Sequence, residues 1–422
     1  MEADLMTFVL VITVICLLVP FYSYVGYPAL LWLLTLGKPA TTHRREEIFP
    51  SVALIISCYN EAEVIREKLQ NALELDYPKD LLRIIVVSDG SDDGTDDLVR
   101  EVRDERILLI RQEGRLGKTM GINLAMEQVT EEVTVFTDAN AIYEPDAISK
   151  LVRNLADPQV GYAVGAALYT DAHTGASAWI ENFYWNHEFA LRALESRLHS
   201  MVGGDGAIYA IRTELWEPLH PKDINDFVNP LQIIAKGYRG VFDAEAKCYE
   251  ETAGEFSREI ARKERIVNRS IRGLMRVKEV MNPAKTGVFA WKVISHKFLR
   301  WLIPLFAVVG LAGSALLAAQ GRPVFQLITA GCLGLLLLAM LGARNTDKNN
   351  LPAWQSFPYY FLMVNLCALK GIISAMQGQT QVTWSSFRKE EGELTGQEMV
   401  SLHPLWWIAM GGLVLALLVG YV

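Results

Sequence analysis

The chain of 422 residues has five cysteines, none in a CxxC pair and none at Cys/His zinc spacing, which excludes a disulfide-stapled fold and a structural zinc site. Cys16, Cys332 and Cys367 lie inside apolar runs and Cys58 and Cys248 stand alone, so all five are expected to be reduced. Proline and glycine are too sparse for a collagen or low-complexity chain, and hydrophobic residues at 51% are too many for a disordered one. No basic stretch interleaved with aromatics occurs away from an apolar run, so nucleic acid is not an expected partner. What the chain has in excess is hydropathy, with a mean of +0.18 despite a formal net charge of −8.

That hydropathy sits at the two ends. Leu5 to Leu36 carries no charge for 32 residues, interrupted only by Pro20 and Pro28. A bilayer-spanning helix needs roughly 20 residues, so this stretch is long enough to cross with a kink or tilt. A cleaved signal peptide is the alternative, but Glu2 and Asp4 precede the stretch where that reading wants basic residues and a shorter core. Phe298 to Ala319 and Val324 to Ala343, separated by Gln320-Gly321-Arg322-Pro323, read as a transmembrane hairpin, and Leu405 to Val422 as a last span. Trp354 to Met376 carries Pro358, Asn365, Lys370 and paired tyrosines, which favours a helix lying in the interface over one that crosses. His43-Arg44-Arg45, Lys292, Lys297, Arg300, Arg344 and Lys348 flank the spans on what the positive-inside rule makes the cytoplasmic side. With Trp354 to Met376 in the interface, Arg388 and Lys389 also stay cytoplasmic and four spans satisfy every cluster.

Between the ends the sequence reads as an α/β domain. Strand-length apolar runs at Val52 to Ser57, Ile84 to Ser88, Ile107 to Arg111 and Val133 to Thr137 alternate with helical stretches at Glu61 to Leu75 and Thr95 to Val102, the βαβ rhythm of a mostly parallel sheet. Ligands bind such sheets at the carboxyl ends of the strands. Here those ends are polar: Cys58-Tyr59-Asn60-Glu61, Asp89-Gly90-Ser91, and Asp138-Ala139-Asn140. Asp89 opens an acidic turn suited to N–H donors of a base or ribose and unsuited to phosphate. Asp138 and Asn140 offer hard oxygens to a divalent cation, Mg or Mn, bridging a pyrophosphate. A solvated turn with helix-capping acids is the alternative for either cluster taken alone.

Taken together, Y-N-E, D-G-S, G-R-L-G-K with Asn123 following, and D-A-N resemble the family-2 glycosyltransferases, whose nucleotide-sugar domain has the GT-A fold. The resemblance implies that Tyr59 and Glu61 flank the base, Asp89 holds it, Lys118 approaches the phosphates and Asp138 serves the metal, with Asn140 as a neutral ligand where the family has a second acid. Gly203-Gly204-Asp205-Gly206 is a turn through which backbone approaches a ligand closely. It resembles the family's acceptor loop and assigns Gly204, Asp205 and Gly206 there, with Trp185 as a further acceptor-path residue. Asn225-Asp226 stands where these enzymes carry an acidic pair, so the resemblance makes Asp226 the general base. With Asn225 in place of the other acid, the Asp226 pKa is expected to be lower than in a two-acid site.

Arg258 to Arg300 holds twelve Lys+Arg against three Glu. Arg262, Arg265, Arg269, Arg272 and Arg276, at alternating spacings of three and four, fall on one helical face, read here as paired with anionic membrane lipid. Within it, Arg262 to Ile266 is similar to the Q-x-x-R-W segment of processive members, keeping Arg265, a diphosphate clamp by that resemblance, and replacing the tryptophan by Ile266. Val382-Thr383-Trp384 resembles the gating loop of cellulose-synthase-like enzymes.

The expected architecture is therefore a cytoplasmic α/β GT-A domain with an α-helical transmembrane region: an anchor at 1–40, the transferase domain at 41–255, basic interface helices at 256–297, a hairpin at 298–343, an interface helix and gating-type loop at 344–402, and a last helix at 403–422. The resemblance implies an inverting, metal-dependent transferase of the inner (plasma) membrane. It moves sugar from a nucleotide-diphospho-sugar, expected to be a UDP-sugar, to a growing extracellular polysaccharide that it also exports. Non-processive transfer to a lipid-linked acceptor is the alternative, and an inactive nucleotide-sugar-binding module the alternative of another class. Four spans are few to enclose a channel in one subunit, which leaves room for a homo-oligomer.

Overall fold

The computed structural model describes residues 2–39, 48–169, 176–250, 256–345, 351–380 and 382–383. Eight strands form one sheet in the order β3-β2-β1-β4-β7-β6-β8-β5. Strands β1 (Val52–Cys58), β2 (Leu82–Ser88), β3 (Ile107–Arg111) and β4 (Val133–Asp138) are mutually parallel. Beyond them, β7 (Tyr209–Arg212) runs antiparallel to both β4 and β6 (Val160–Tyr169), and β8 (Arg239–Glu250) is parallel to β6 and pairs at its end with the two-residue β5 (Ile142–Tyr143). This is the mixed, Rossmann-like GT-A sheet.

Side chains alternate across the sheet, so Val52, Leu54 and Ile56 pack on one face and Ala53 and Ile55 on the other, each within its own buried cluster. Helices α3 (Ile65–Leu73), α4 (Thr95–Glu101) and α6 (Ala147–Val152) cover the first face, and α5 (Lys118–Met126) and α8 (Asn225–Ala235) the second. The helix expected from Glu61 begins only at Ile65. Asn60 takes a left-handed backbone, φ 53°, and the chain turns through Glu61 to Val64 before the helix starts.

Helix α1 (Glu2–Phe21), a π turn at Tyr22–Gly26 and α2 (Tyr27–Thr35) form a continuous apolar rod. Helix α7 (Ala176–Leu198) runs between that rod and the sheet. The basic helix α9 (Phe256–Arg276) leads through short α10 (Pro283–Thr286) and α11 (Val288–Val293) to a second π turn at Ile294–Phe298, and on to α12 (Leu299–Ala319), α13 (Pro323–Arg344) and α14 (Ala353–Met376). Among the described residues, four helical segments are long and apolar enough to cross a membrane: Asp4–Thr35, Val288–Ala319, Pro323–Arg344 and Trp354–Met376. The chain is a membrane protein by this measure. Small residues let these rods meet, as where Gly310 admits Leu17 and Gly313 admits Thr13.

Trp354–Met376, expected to stay in the interface, has the length and hydropathy of a span. Its first half meets α13, with Tyr359 against Gly342, and its second half meets α9, where Gly371 lies on the Glu264 carbonyl. The last expected span, 403–422, lies outside the described residues.

Candidate functional site

Parallel pairing sets Cys58 beside Ser88 and Ser57 beside Asp138, so three polar strand ends emerge at one edge, as the sequence pattern requires. The left-handed Asn60 ties two of them together. Its side-chain amide donates to Asp92 Oδ1 at 2.7 Å and its Oδ1 accepts the Asp92 amide at 3.0 Å. Asparagine tolerates this conformation better than other side chains, so the middle residue of Y-N-E suits the turn. Glu61 is nearly buried and its amide donates to Thr95 Oγ1, while the Arg115 guanidinium lies 3.9 Å over the Tyr59 ring.

Asp89 is buried and folds the G-R-L-G-K loop. Its Oδ1 accepts Gln112 Nε2 at 2.7 Å, the Leu116 amide at 2.8 Å and the Gly117 amide at 2.9 Å. Burial pushes its pKa above the usual carboxylate value, with the Gly117 and Leu116 amides opposing. Gly117 has φ 93°, and a Cβ there would stand 2.7 Å from the Val382 carbonyl oxygen. Val382 of the gating-type motif therefore rests on the donor-side loop. Thr383 follows it, and Trp384 lies outside the described residues.

Lys118, Asp138 and Asp226 converge. A Cβ on Gly206 would be 3.3 Å from Asp226 Oδ2, 3.3 Å from Lys118 Nζ and 3.6 Å from Asp138 Oδ2, so the three charged tips surround the one residue without a side chain. Lys118 and Asp138 are ion-paired. Asp226 stands in the first turn of α8, and its Oδ1 is inaccessible to solvent and has no hydrogen-bond partner among the described residues. Burial raises its pKa; Lys118 opposes this, and Asp205 and Asp138 add to it. Asn225 turns inward to donate to the Tyr209 hydroxyl at 3.0 Å, and Asp205 and Asp138 supply the like charges instead. Asp205 is held by Arg192 at 3.0 Å, and Gly204 packs on the Asp226 carbonyl.

The arginine stripe of α9 faces protein where the sequence reading gave it to lipid. Arg269 is buried and donates to Thr119 Oγ1 at 2.8 Å and to the Asp223 carbonyl, Arg272 donates to the Ala375 carbonyl at 2.6 Å, and Arg276 pairs with Asp223. Periodicity defined the face; these groups meet it from Arg269 to Arg276, while Arg262 and Arg276 remain exposed at its ends. Arg265 lies in the field of Asp138 and Asp226, its pKa lowered first by burial and then by Arg262.

Two residues of this site were not singled out from the sequence. Glu250, at the end of β8, is buried and its pKa is pushed up to about 8, first by burial and then by Asp138 and Asp205, with Arg262 and Lys118 opposing. Lys68 is fully buried beneath the D-A-N turn, donating to Thr137 Oγ1 at 3.1 Å and to the Ala141 carbonyl, and burial brings its pKa down to about 8. A lysine on the otherwise apolar side of α3 was the only available signal for it. Asn140 is half-buried, and Trp185 lies in α7 with its side chain outside the described residues. Among the described residues no three His, Cys, Asp or Glu form a metal-binding group.

A desolvated carboxylate beside a lysine, under a glycine loop and at the open edge of a parallel sheet, is equipped to take a proton from a hydroxyl while the lysine meets an anion. Residues 53–217 match Glycosyl transferase family 2. This sheet domain is a family-2 glycosyltransferase domain. The chain is 32% identical over 117 residues to the poly-beta-1,6-N-acetyl-D-glucosamine synthase of Staphylococcus aureus, and 27% identical over 116 residues to that of Staphylococcus epidermidis. Each match takes in 27% of this chain and 28% of the relative's length. In fold it is similar to the mannosyltransferase PcManGT of Pyrobaculum calidifontis, solved with GDP-Man and Mn2+, at TM-score 0.67 and 23% identity over 87% of this chain and 99% of that one.

Proposed function

We propose that the protein is an inverting membrane glycosyltransferase that moves a sugar from a nucleotide-diphospho-sugar to the hydroxyl of a growing glycan. The convergence of Asp226, Lys118 and Asp138 on Gly206 carries the reading. A donor entering over Tyr59 and Glu61 places its diphosphate by Lys118 and Arg265, whose planar fork suits phosphate oxygens. Gly206, with no side chain, lets the loop backbone close up to the three charged tips at which the sugar and the acceptor hydroxyl would meet. Asp226 takes the hydroxyl proton, and its raised pKa makes it a stronger base than an exposed aspartate. The acceptor runs along Gly204 and Asp205, and Val382 with Thr383 closes the donor side.

A divalent cation, Mg or Mn, fits this site in company with a diphosphate. Asp138 and Asn140 offer two oxygen ligands and the phosphates would complete the set, in keeping with the missing third protein ligand among the described residues. Bound there, the ion would neutralise the departing diphosphate. The mannosyltransferase solved with Mn2+ supports this. UDP-sugar is the proposed donor, on the strength of the staphylococcal relatives.

Lys297, Arg300 and Arg344 near helix ends support a cytoplasmic catalytic domain at the cell membrane, with the glycan leaving outward. Ile266, where processive members keep a tryptophan for the acceptor sugar, favours a second reading, single addition to a lipid-linked acceptor. The test is release of nucleotide diphosphate from a donor panel with Mg or Mn, wild type against Asp226→Asn, followed by sizing of the product. Donor binding without turnover throughout the panel would leave a nucleotide-sugar-binding module.

A further inference from the structure

Along α7, Glu188, Arg192 and Glu195 recur at spacings of four and three, which keeps them on one side of a helix, and all three are buried. Toward the membrane helices, Glu188 Oε1 lies 2.8 Å from His296 Nε2 and 3.0 Å from Lys297 Nζ, and its Oε2 accepts from Arg300 at 3.1 Å. Glu195 Oε1 accepts the Tyr27 hydroxyl and lies 2.8 Å from His296 Nδ1. Lys292 Nζ donates to the Glu195 and Ser200 carbonyls, at 2.8 Å each. Tyr27, Lys292 and His296 belong to the spans Asp4–Thr35 and Val288–Ala319.

Both spans carry their π turn at this level, Tyr22–Gly26 and Ile294–Phe298, and the Tyr22 hydroxyl bridges them, 2.8 Å from Ser295 Oγ and accepting Trp291 Nε1 at 2.7 Å. A π turn inserts a residue and re-aims the side chains around it, which is why it recurs at functional places.

The same face of α7 reaches the glycine loop. Glu195 Oε2 accepts the Val202 amide at 3.0 Å, and Arg192 holds Asp205 at 3.0 Å. Between those anchors, a Cβ on Gly203 would be 3.3 Å from the Phe227 ring and one on Gly204 2.7 Å from the Asp226 carbonyl. Apolar side chains of the same volume pack helices as well as buried charges do or better, so helix packing alone does not call for this network. Directional bonds fix a geometry that apolar contacts leave free.

We infer that Glu195 is a positioning residue for Asp226: through the Val202 amide it carries the placement of the two membrane helices into Gly203 to Gly206, so that the membrane region sets the acceptor side of the site. The bonds of Asp89 to Leu116 and Gly117 share no residue with this chain of contacts, and the Lys118–Asp138 pair meets it only at Gly206. The kinetic part of the inference rests on the proposed transferase activity; the mechanical part does not.

The test uses the full-length protein in lipid nanodiscs. In Glu195→Ala, amide hydrogen exchange across residues 200–207 is expected to rise about tenfold or more while the 112–118 segment stays unchanged, since one buried hydrogen bond and its neighbours are lost locally. Affinity for UDP and GDP stays within about twofold of wild type, and kcat falls at unchanged donor KM, a split that general destabilisation does not produce. Should Glu195→Ala fail to fold, Tyr27→Phe removes a single hydrogen bond and is expected to raise exchange in the same segment by a smaller factor. Exchange rising evenly over the sheet, or nucleotide affinity falling in step with kcat, overturns the inference. If wild type turns over no donor and the local exchange pattern still appears, the transferase reading fails and the mechanical link stands.

Discussion

The Val382 carbonyl oxygen sits on Gly117, 2.7 Å from where a Cβ would be, and the amide of that same glycine donates to Asp89 Oδ1 at 2.9 Å from within the protein. The donor loop is thus held between a buried carboxylate and a segment that follows the last described helix. Gly117→Ala places a methyl in that contact and forces a side chain into φ 93°, a strain of about 1–3 kcal/mol. Turnover is expected to fall about tenfold or more, with a raised donor KM. Wild-type kinetics in this variant would show that Val382 does not cover the donor loop during turnover.

Asp226→Asn keeps size and removes the base. Its kcat is expected to fall by about 10²–10⁴-fold, the usual contribution of a positioned base, with donor KM little changed. Steady-state release of nucleotide diphosphate measures it, and a loss under about tenfold would take Asp226 out of the reaction.

Glu250 makes stability depend on pH. Its carboxyl titrates at about 8 in the folded protein against an ordinary 4.5, so the folded state holds the proton more tightly. The stability it contributes is complete below about 4.5 and is lost as pH rises through about 8. Glu250→Gln lacks this slope, so the Tm of the variant relative to wild type should climb across that window and level off above it. Parallel melting curves at every pH would contradict the assignment.

Arg269→Lys keeps the charge and loses the planar guanidinium, whose Nη2 joins Thr119 to the Asp223 carbonyl while its Nε donates to the Lys222 carbonyl. A cost of about 1–2 kcal/mol is expected, read from thermal or denaturant unfolding. Arg262→Lys, at an exposed position on the same helix, should be near neutral. Equal effects at both positions would mean that the stripe faces water or lipid after all.

The strands were legible because a parallel sheet buried on both faces is written as runs of Val, Ile and Leu; β1, buried at every residue, begins at Val52 where the pattern puts it. Asp89, Asp138 and Asp226 were legible because strand ends and a helix start carry them. The start of α3 was not, since the left-handed turn at Asn60 consumes residues that read as helix. Glu250 was hidden because its burial comes from the pairing of β6 with β8, strands far apart in the chain. The arginine face of α9 was visible as a periodicity, yet periodicity does not say what lies opposite, and carbonyls of the protein occupy the place given to lipid. The charged face of α7 was equally silent, for Glu188 and Glu195 meet partners about a hundred residues away.

The contact of Val382 with Gly117 also orders events in time. The sheet, Asp226 and the basic helix are all translated before α12, α13 and α14, and residue 382 only after them. A nascent chain can therefore fold its sheet and bring Lys118, Asp138 and Asp226 together before Val382 reaches Gly117.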